Sequence, residues 1–446
     1  MFERTLIESL ENWKGKKNRK PLVLRGARQV GKTSIVKMFS GSFEQYAYLN
    51  LDRQEDRALF ENDLPYQALL DLLFFRKQIG KNAGRTLVFI DEIQNSPRAV
   101  SLLRYFYEDN PELYVIAAGS LLESLIDNQI SFPVGRVEYL AMHPCSFEEY
   151  LRATGEDKSL EIVSQMPVPE YAHSRLSELF RQYTIIGGMP EVVANYTENR
   201  DIVKLRPIYD SLVTSYLDDV EKYGRNTTMI HVIRHIIRSS FHYAGKRIKF
   251  ESFGNSNYRS RETGDAFRTL EKAMLLQLVY PAVNARLPMD IKHRTPKLQL
   301  LDTGLLNHMV GLQGELLGEI SIENTWRGKV AEHITGQELY STESSVLGKL
   351  NYWLRDVKNS QAEVDFVIPF LGLLIPVEVK SGSSGKLKSL HLFMDQAPHS
   401  WAVRIYTGKM NLERIITPAG KSFTLINIPF YLAGKIIKVL EHTCKI

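Results

Sequence analysis

A chain of 446 residues is too long for one ordinary core, and its length points to roughly three domains. Hydrophobic residues at 44% and charged residues at 24% are the proportions of a soluble globular protein, and no run reaches the ~18 apolar residues of a membrane span. Two cysteines far apart, Cys145 and Cys444, exclude a disulfide framework and a zinc pattern, while the net charge of +5 is too modest to name a partner by itself.

The N-terminal residues Met1-Phe2-Glu3-Arg4-Thr5 carry charge where a signal peptide needs an apolar core, so a reducing cytoplasm is the expected location. A polar helix with Leu6, Leu10 and Trp13 at near-helical spacing leads into the strand-like run Pro21 to Arg25. Directly after it, Gly26-Ala27-Arg28-Gln29-Val30-Gly31-Lys32-Thr33 has the spacing G-x-x-x-x-G-K-[ST], followed by Ser34 and the helical pattern Ile35, Val36, Phe39. This strand, glycine loop and helix is what a nucleotide's phosphate chain requires. Backbone N–H groups point inward, Lys32 supplies a mobile charge, Thr33 a hydroxyl for Mg²⁺, and the helix N-terminus faces the anion.

Tyr46 to Asp52, Thr86 to Glu92 and Leu113 to Ser120 follow as apolar runs separated by helices, the pattern of a parallel sheet covered on both faces. Residues 1–150 are expected to form a doubly wound α/β nucleotide-binding core. The run ending in Asp91-Glu92 delivers two carboxylates to the sheet edge where α/β ligands bind: Asp91 for the Mg²⁺ shell, Glu92 to polarise the attacking water. Ser120 ends the next strand at an equivalent height and either orients that water or the γ-phosphate or is a satisfied loop hydroxyl. Arg136 is a candidate cation for transition-state charge, in cis or across a subunit boundary of a homo-oligomer, with a solvated arginine as the alternative.

The strings GARQVGKT, LVFIDEIQ, AAGS, GRVEYLAMHPCSFEEYL and the later GGMP (Gly187 to Pro190) resemble a widespread prokaryotic family of AAA+ ATPases related to the archaeal ATPase and STAND branch. That resemblance covers nearly the whole chain and implies an ATPase core using ATP and Mg²⁺. It also implies that the helices of 151–225, among them Pro207 to Val220, form a lid over the nucleotide. Ser120 stands where the wider superfamily has asparagine.

Residues 225–300 hold 14 Lys/Arg against five Asp/Glu, which leaves the rest of the chain net acidic. Within 226–288, helical patterns at Met229 to His242 and Thr263 to Leu278 flank a Gly-, Ser- and Asn-rich connector and run into the strand-like Leu276 to Tyr280. This resembles a winged helix-turn-helix. Arg259, Arg261 and Arg268 would then face the phosphates of duplex DNA, flanked by Lys246, Arg247 and Lys249; a protein joint with a solvated basic face is the alternative. His231 and His235 lie one turn apart with no third ligand evident nearby.

Residues 289–446 open with Lys297 to Leu305, a strand running into a turn, followed by a helix near Gly328 to Tyr340 carrying Glu332. In Ala362 to Phe366, Glu363 and Asp365 share one strand face, and in Val377 to Lys380, Glu378 and Lys380 share another. Two carboxylates can hold a hard cation and the ammonium can position a water or a phosphate. Asp365, Glu378 and Lys380, with Glu332, resemble the signature of the PD-(D/E)xK nuclease fold, a restriction-endonuclease-like α/β domain. An antiparallel sheet with one solvated face is the competing reading.

Overall fold

The structure, a computed structural model, describes residues 2–80, 84–120, 133, 135–224, 226–312, 325–357, 360–382 and 387–444. These fall into two compact units. The first comprises 1–143 with 272–274 and 344–347, and the second comprises 144–271, 275–343 and 348–446. Among the described residues no helix is long and apolar enough to cross a membrane.

The first unit is a parallel sheet of β1 (Leu22–Arg25), β2 (Gln45–Asn50), β3 (Thr86–Asp91), β4 (Tyr114–Gly119) and β5 (Glu138–Ala141), in the order β2-β3-β4-β1-β5. All six residues of β3 are buried, as a strand covered on both faces demands. On one face Val23, Leu49, Val88, Ile90 and Ala117 pack with Phe60, Leu73, Leu103 and Phe106 from the helices that follow β2 and β3. Strand β1 lies between β4 and β5, in register from Leu22 opposite Ile116 and Glu138 onwards. The loop leaving its C-terminal end therefore emerges beside the ends of its neighbours, where α/β ligands bind.

The second unit begins with helices, among them Phe147–Ala153, His173–Ile186, Pro190–Asn199 and Arg206–Asp218, the segment read as the lid. An eight-stranded mixed sheet follows: β6 (Leu276–Ala282), β7 (Lys297–Leu300), β8 (Asn351–Leu354), β9 (Glu363–Phe370), β10 (Leu373–Val379), β11 (Trp401–Tyr406), β12 (Asn411–Ile416) and β13 (Ser422–Pro429). Its order is β12-β13-β11-β10-β9-β8-β6-β7. Strands β9 and β10 form a hairpin over Leu371 and Gly372, whose φ values of 44° and 78° suit a tight two-residue turn.

The basic segment consists of helix Thr227–Ser240, helix Ser260–Lys272 and strand β6, with isolated bridges from Ala244 to Leu298 and Arg247 to Lys297. The helical pattern expected to run to Leu278 stops at Lys272. Met274 adopts a left-handed φ of 58°, the Leu275 N–H closes on the Leu270 carbonyl, and Leu278 lies in β6. Strand β6 pairs antiparallel with β7, so a boundary at residue 288 falls inside a β-hairpin. After β7 the chain enters helix Thr303–Met309 instead of a bare turn, capped by the Asp302 carboxylate, which accepts from the Leu305 N–H at 2.9 Å. The other oxygen of Asp302 accepts from the Gly188 N–H at 2.6 Å. A Cβ on Gly187 would sit 2.3 Å from Asp302 Oδ1 and one on Gly304 only 2.0 Å from the Ile186 carbonyl oxygen, so the GGMP turn and the start of helix Thr303–Met309 form one interlocked contact.

Candidate functional site

In the first unit the loop between β1 and helix Lys32–Ser40 is shaped by local backbone demands. Gly31 has φ 100°, a conformation closed to most side chains, and a Cβ on Gly26 would lie 2.5 Å from the Met142 carbonyl oxygen. Buried Arg4 ties this loop down by donating to the carbonyls of Val30 (3.0 Å) and His143 (2.8 Å). Ala27 and Val30 are buried, Arg28 is half-buried, and Gln29 and Ser34 are exposed. Lys32 is buried, and its ammonium donates to the Gly26 and Ala27 carbonyls at 2.9 and 2.8 Å. Burial pushes its pKa down, partly countered by Glu92 and Asp91.

Thr33 Oγ1 donates to Asp91 Oδ2 at 2.7 Å, which joins the first turn of the helix to the end of β3. A hydroxyl and a carboxylate oxygen so close together are a donor set that fits Mg²⁺. Tyr48 on β2 donates to the same Asp91 oxygen at 3.2 Å, a partner the linear motif does not reveal. Glu92 lies just beyond β3 with φ 52° and accepts from Gln94. Its pKa is raised, mainly by burial, with Lys32 and the Gln94 hydrogen bond acting the other way. A half-buried carboxylate with raised basicity at the end of the central sheet can accept a proton from water. Ser120 immediately follows β4 and is half-buried. Arg136 is exposed and pairs with Glu108 at 3.0 Å.

In the second unit a helix (Thr325–Ser341), three antiparallel strands (β8, β9, β10), a helix (Lys388–Gln396) and β11 parallel to β10 follow in chain order. Asp365 on β9 accepts from the Val379 N–H at 2.8 Å, which brings it beside the end of β10. There Lys380 Nζ donates to Glu378 Oε1 at 2.6 Å. Glu378 is only 6% exposed and its Oε2 is buried without a hydrogen-bond partner among the described residues, so this face is not the solvated one of an ordinary antiparallel sheet. Burial and the neighbouring Asp365 raise the Glu378 pKa, while Lys380 opposes them. Glu332 approaches the same cluster through Lys297, a residue the motif reading passed over, whose Nζ lies 2.6 Å from Glu332 Oε1 and 3.6 Å from Asp365 Oδ1.

Of the basic residues, Arg259, Arg261, Lys246 and Lys249 are exposed. Arg268 pairs with Asp265 and Arg247 with Glu363. His231 is exposed, and His235 Nε2 contacts the Phe253 carbonyl at 2.9 Å. Among the described residues no three His, Cys, Asp or Glu side chains are grouped so as to hold a metal ion.

Residues 18–151 match the family described as an AAA domain. The chain carries an AAA+ P-loop ATPase domain. The glycine loop, Lys32, Thr33 and the β3 carboxylates all lie within that match, and the chain is an enzyme that binds and hydrolyses ATP. Beyond the ATPase domain, residues 177–316 and 327–431 match two domains of unknown function, DUF8612 and DUF4143. No curated protein matches the chain. Similar solved structures include the Walker-type ATPase PABY2304 of Pyrococcus abyssi, at 16% identity over 70% of this chain and 96% of that one with TM-score 0.46. The Thermotoga maritima RuvB Holliday junction branch migration motor is similar at 14% identity over 66% and 93%, TM-score 0.25. Drosophila ORC bound to DNA is similar at 15% identity over 68% and 94%, TM-score 0.28.

Proposed function

We propose that ATP hydrolysis here is Mg²⁺-dependent and controls a nucleic-acid-binding, phosphodiesterase-like C-terminal region. The observation that carries the second half is the meeting of buried Glu378 with half-buried Asp365 and Lys380 at the ends of β9 and β10, in a helix, three-strand, helix, strand order that supports a PD-(D/E)xK reading. In the ATPase domain, Thr33 and Asp91 are the residues that would hold Mg²⁺, whose charge offsets that of the phosphates. Lys32 exchanges its loop carbonyls for phosphate oxygens, and Glu92 takes the proton of the attacking water. Ser120 is assigned to orienting that water or the γ-phosphate. Arg136 would act only after leaving Glu108, in cis or from a neighbouring copy in a homo-oligomer.

In the C-terminal region Asp365 and Glu378 would hold a divalent cation, for which the orphaned Glu378 oxygen is the supporting feature, and Lys380 positions the nucleophile. Residues 226–288 continued through β7 give a helix, bridge, helix and hairpin order that supports a winged helix. Exposed Arg259 and Arg261 are its candidate phosphate contacts on duplex DNA.

A second reading, an ATP-gated switch whose C-terminal region binds protein without cleavage, is favoured by one feature: Lys297 already lies among the carboxylates. Incubating purified protein with single- and double-stranded DNA and RNA, ATP and Mg²⁺ or Mn²⁺ separates the two. Cleavage lost in the double variant Asp365→Ala, Glu378→Ala is the expected result. Equal products from both proteins select the switch.

A further inference from the structure

Lys297 is the first residue of β7, yet it is only 3% exposed. Its ammonium meets three carboxylates at once: Glu332 Oε1 at 2.6 Å, Glu363 Oε1 at 3.1 Å and Asp365 Oδ1 at 3.6 Å, with the Tyr352 ring centroid at 5.1 Å. Arg247 takes the second oxygen of Glu363 at 3.2 Å, and Lys380 takes Glu378. Four carboxylates are thus set against three cations, which offset all but one of the four negative charges that full ionisation would bring.

Carboxylates crowded away from water repel one another and must be neutralised, by a metal ion or by fixed cations. An ammonium offers three N–H donors, and this one faces three acceptors from two elements. A divalent ion drawn to Asp365 or Glu332 would come within a few ångströms of this ammonium and be repelled by it.

We propose that Lys297 is the resident counter-ion of the carboxylate centre and decides whether a divalent cation binds there. With the ammonium in place the Glu332, Glu363 and Asp365 oxygens exclude Mg²⁺ and Mn²⁺. Removing its charge leaves Asp365, beside the orphaned Glu378 oxygen, free to bind a divalent cation. This rests on the phosphodiesterase-like reading of the centre and makes its metal uptake, and so its cleavage, conditional on the Lys297 ammonium leaving the carboxylates.

The test is calorimetric titration of Mn²⁺ into the full-length, nucleotide-free chain, with Asp365→Asn as the marker for this site. Wild type should show no Mn²⁺ uptake that Asp365→Asn removes. Lys297→Met, isosteric along the stem but uncharged, should gain one such site, tighter by on the order of 10²-fold or more than anything wild type shows there. Lys297→Arg should gain none. If Lys297→Met does not fold, Lys297→Gln replaces it in the same comparison. Asp365-dependent Mn²⁺ binding by wild type as tight as by the neutral variant overturns the proposal and leaves the metal-binding centre standing. A folded neutral variant with no Asp365-dependent site overturns both.

Discussion

Glu338 on helix Thr325–Ser341 offers a quantitative test of how the second unit is held together. Its Oε1 accepts from the Phe147 N–H at 2.9 Å and lies 2.8 Å from the Tyr183 hydroxyl, which is also 2.7 Å from the Cys145 carbonyl oxygen. Tyr183 has one hydroxyl proton and two close acceptors, so both contacts are hydrogen bonds only if Glu338 brings a proton of its own. Burial pushes the Glu338 pKa from an ordinary 4.5 up to about 8, with the Tyr183 and Phe147 hydrogen bonds acting the other way. A carboxylate raised in the folded state contributes stability that is complete below its unfolded pKa and is lost as pH rises through its folded one. Between pH 4.5 and about 8 that loss follows a slope of up to about 1.4 kcal/mol per pH unit, about 5 kcal/mol in all if the group titrates in place. Glu338→Gln keeps an acceptor for Phe147 and cannot ionise. Urea denaturation of both proteins at pH 5, 6, 7, 8 and 9 should show the variant close to wild type at pH 5 and progressively more stable relative to it towards pH 9. Parallel stability curves across that range would refute the argument, because they would mean that Glu338 binds no more protons folded than unfolded.

Two predictions concern the ATPase domain. Lys32→Ala should abolish ATP binding measured by calorimetry, since its ammonium is held only 2.8–2.9 Å from two loop carbonyls and is the side chain poised to reach outer phosphates; unaltered affinity in a folded variant would remove it from the site. Glu92→Gln should still bind Mg-ATP but release phosphate at least about 10²-fold more slowly. Because burial raises the Glu92 pKa and the base acts only when ionised, the acid limb of the wild-type rate profile should lie above that of an ordinary carboxylate and vanish in the variant.

What the linear chain reveals is what neighbouring residues accomplish together. The phosphate loop and the carboxylates ending β3 are each one strand and the turn after it, so their spacing alone carries the geometry. The alternation of Glu378 and Lys380 is legible for the same reason, but the burial of Glu378 is not. The Arg4 clamp is not, because it links a residue near the N-terminus to carbonyls 26 and 139 positions away. Strand β5 hides inside a stretch with no long apolar run. The helix end at Lys272 is concealed because Leu270, Met274 and Leu278 recur every four residues, a spacing that also places apolar residues on one face of a following strand. Gly187 and Gly188 stand out as motif residues, but their reason is Asp302, more than a hundred positions away.

The contrast between two lysines shows why the sites respond differently to ligands. Lys32 and Lys297 are both buried, at 6% and 3% exposure, so loss of water disfavours the charge of each. Around Lys32 the close partners are neutral carbonyl oxygens, and burial leaves its pKa below the usual lysine value. Around Lys297 burial is outweighed by Glu332, Asp365 and Glu363, and the pKa is raised. An incoming phosphate at Lys32 therefore supplies the anion that the ammonium lacks, so nucleotide binding gains a charge pair without breaking one. An incoming cation at the carboxylate centre must instead displace an ammonium that already satisfies its oxygens. The first site is electrostatically prepared for its ligand, and the second stays closed to a metal for as long as β7 keeps Lys297 in place.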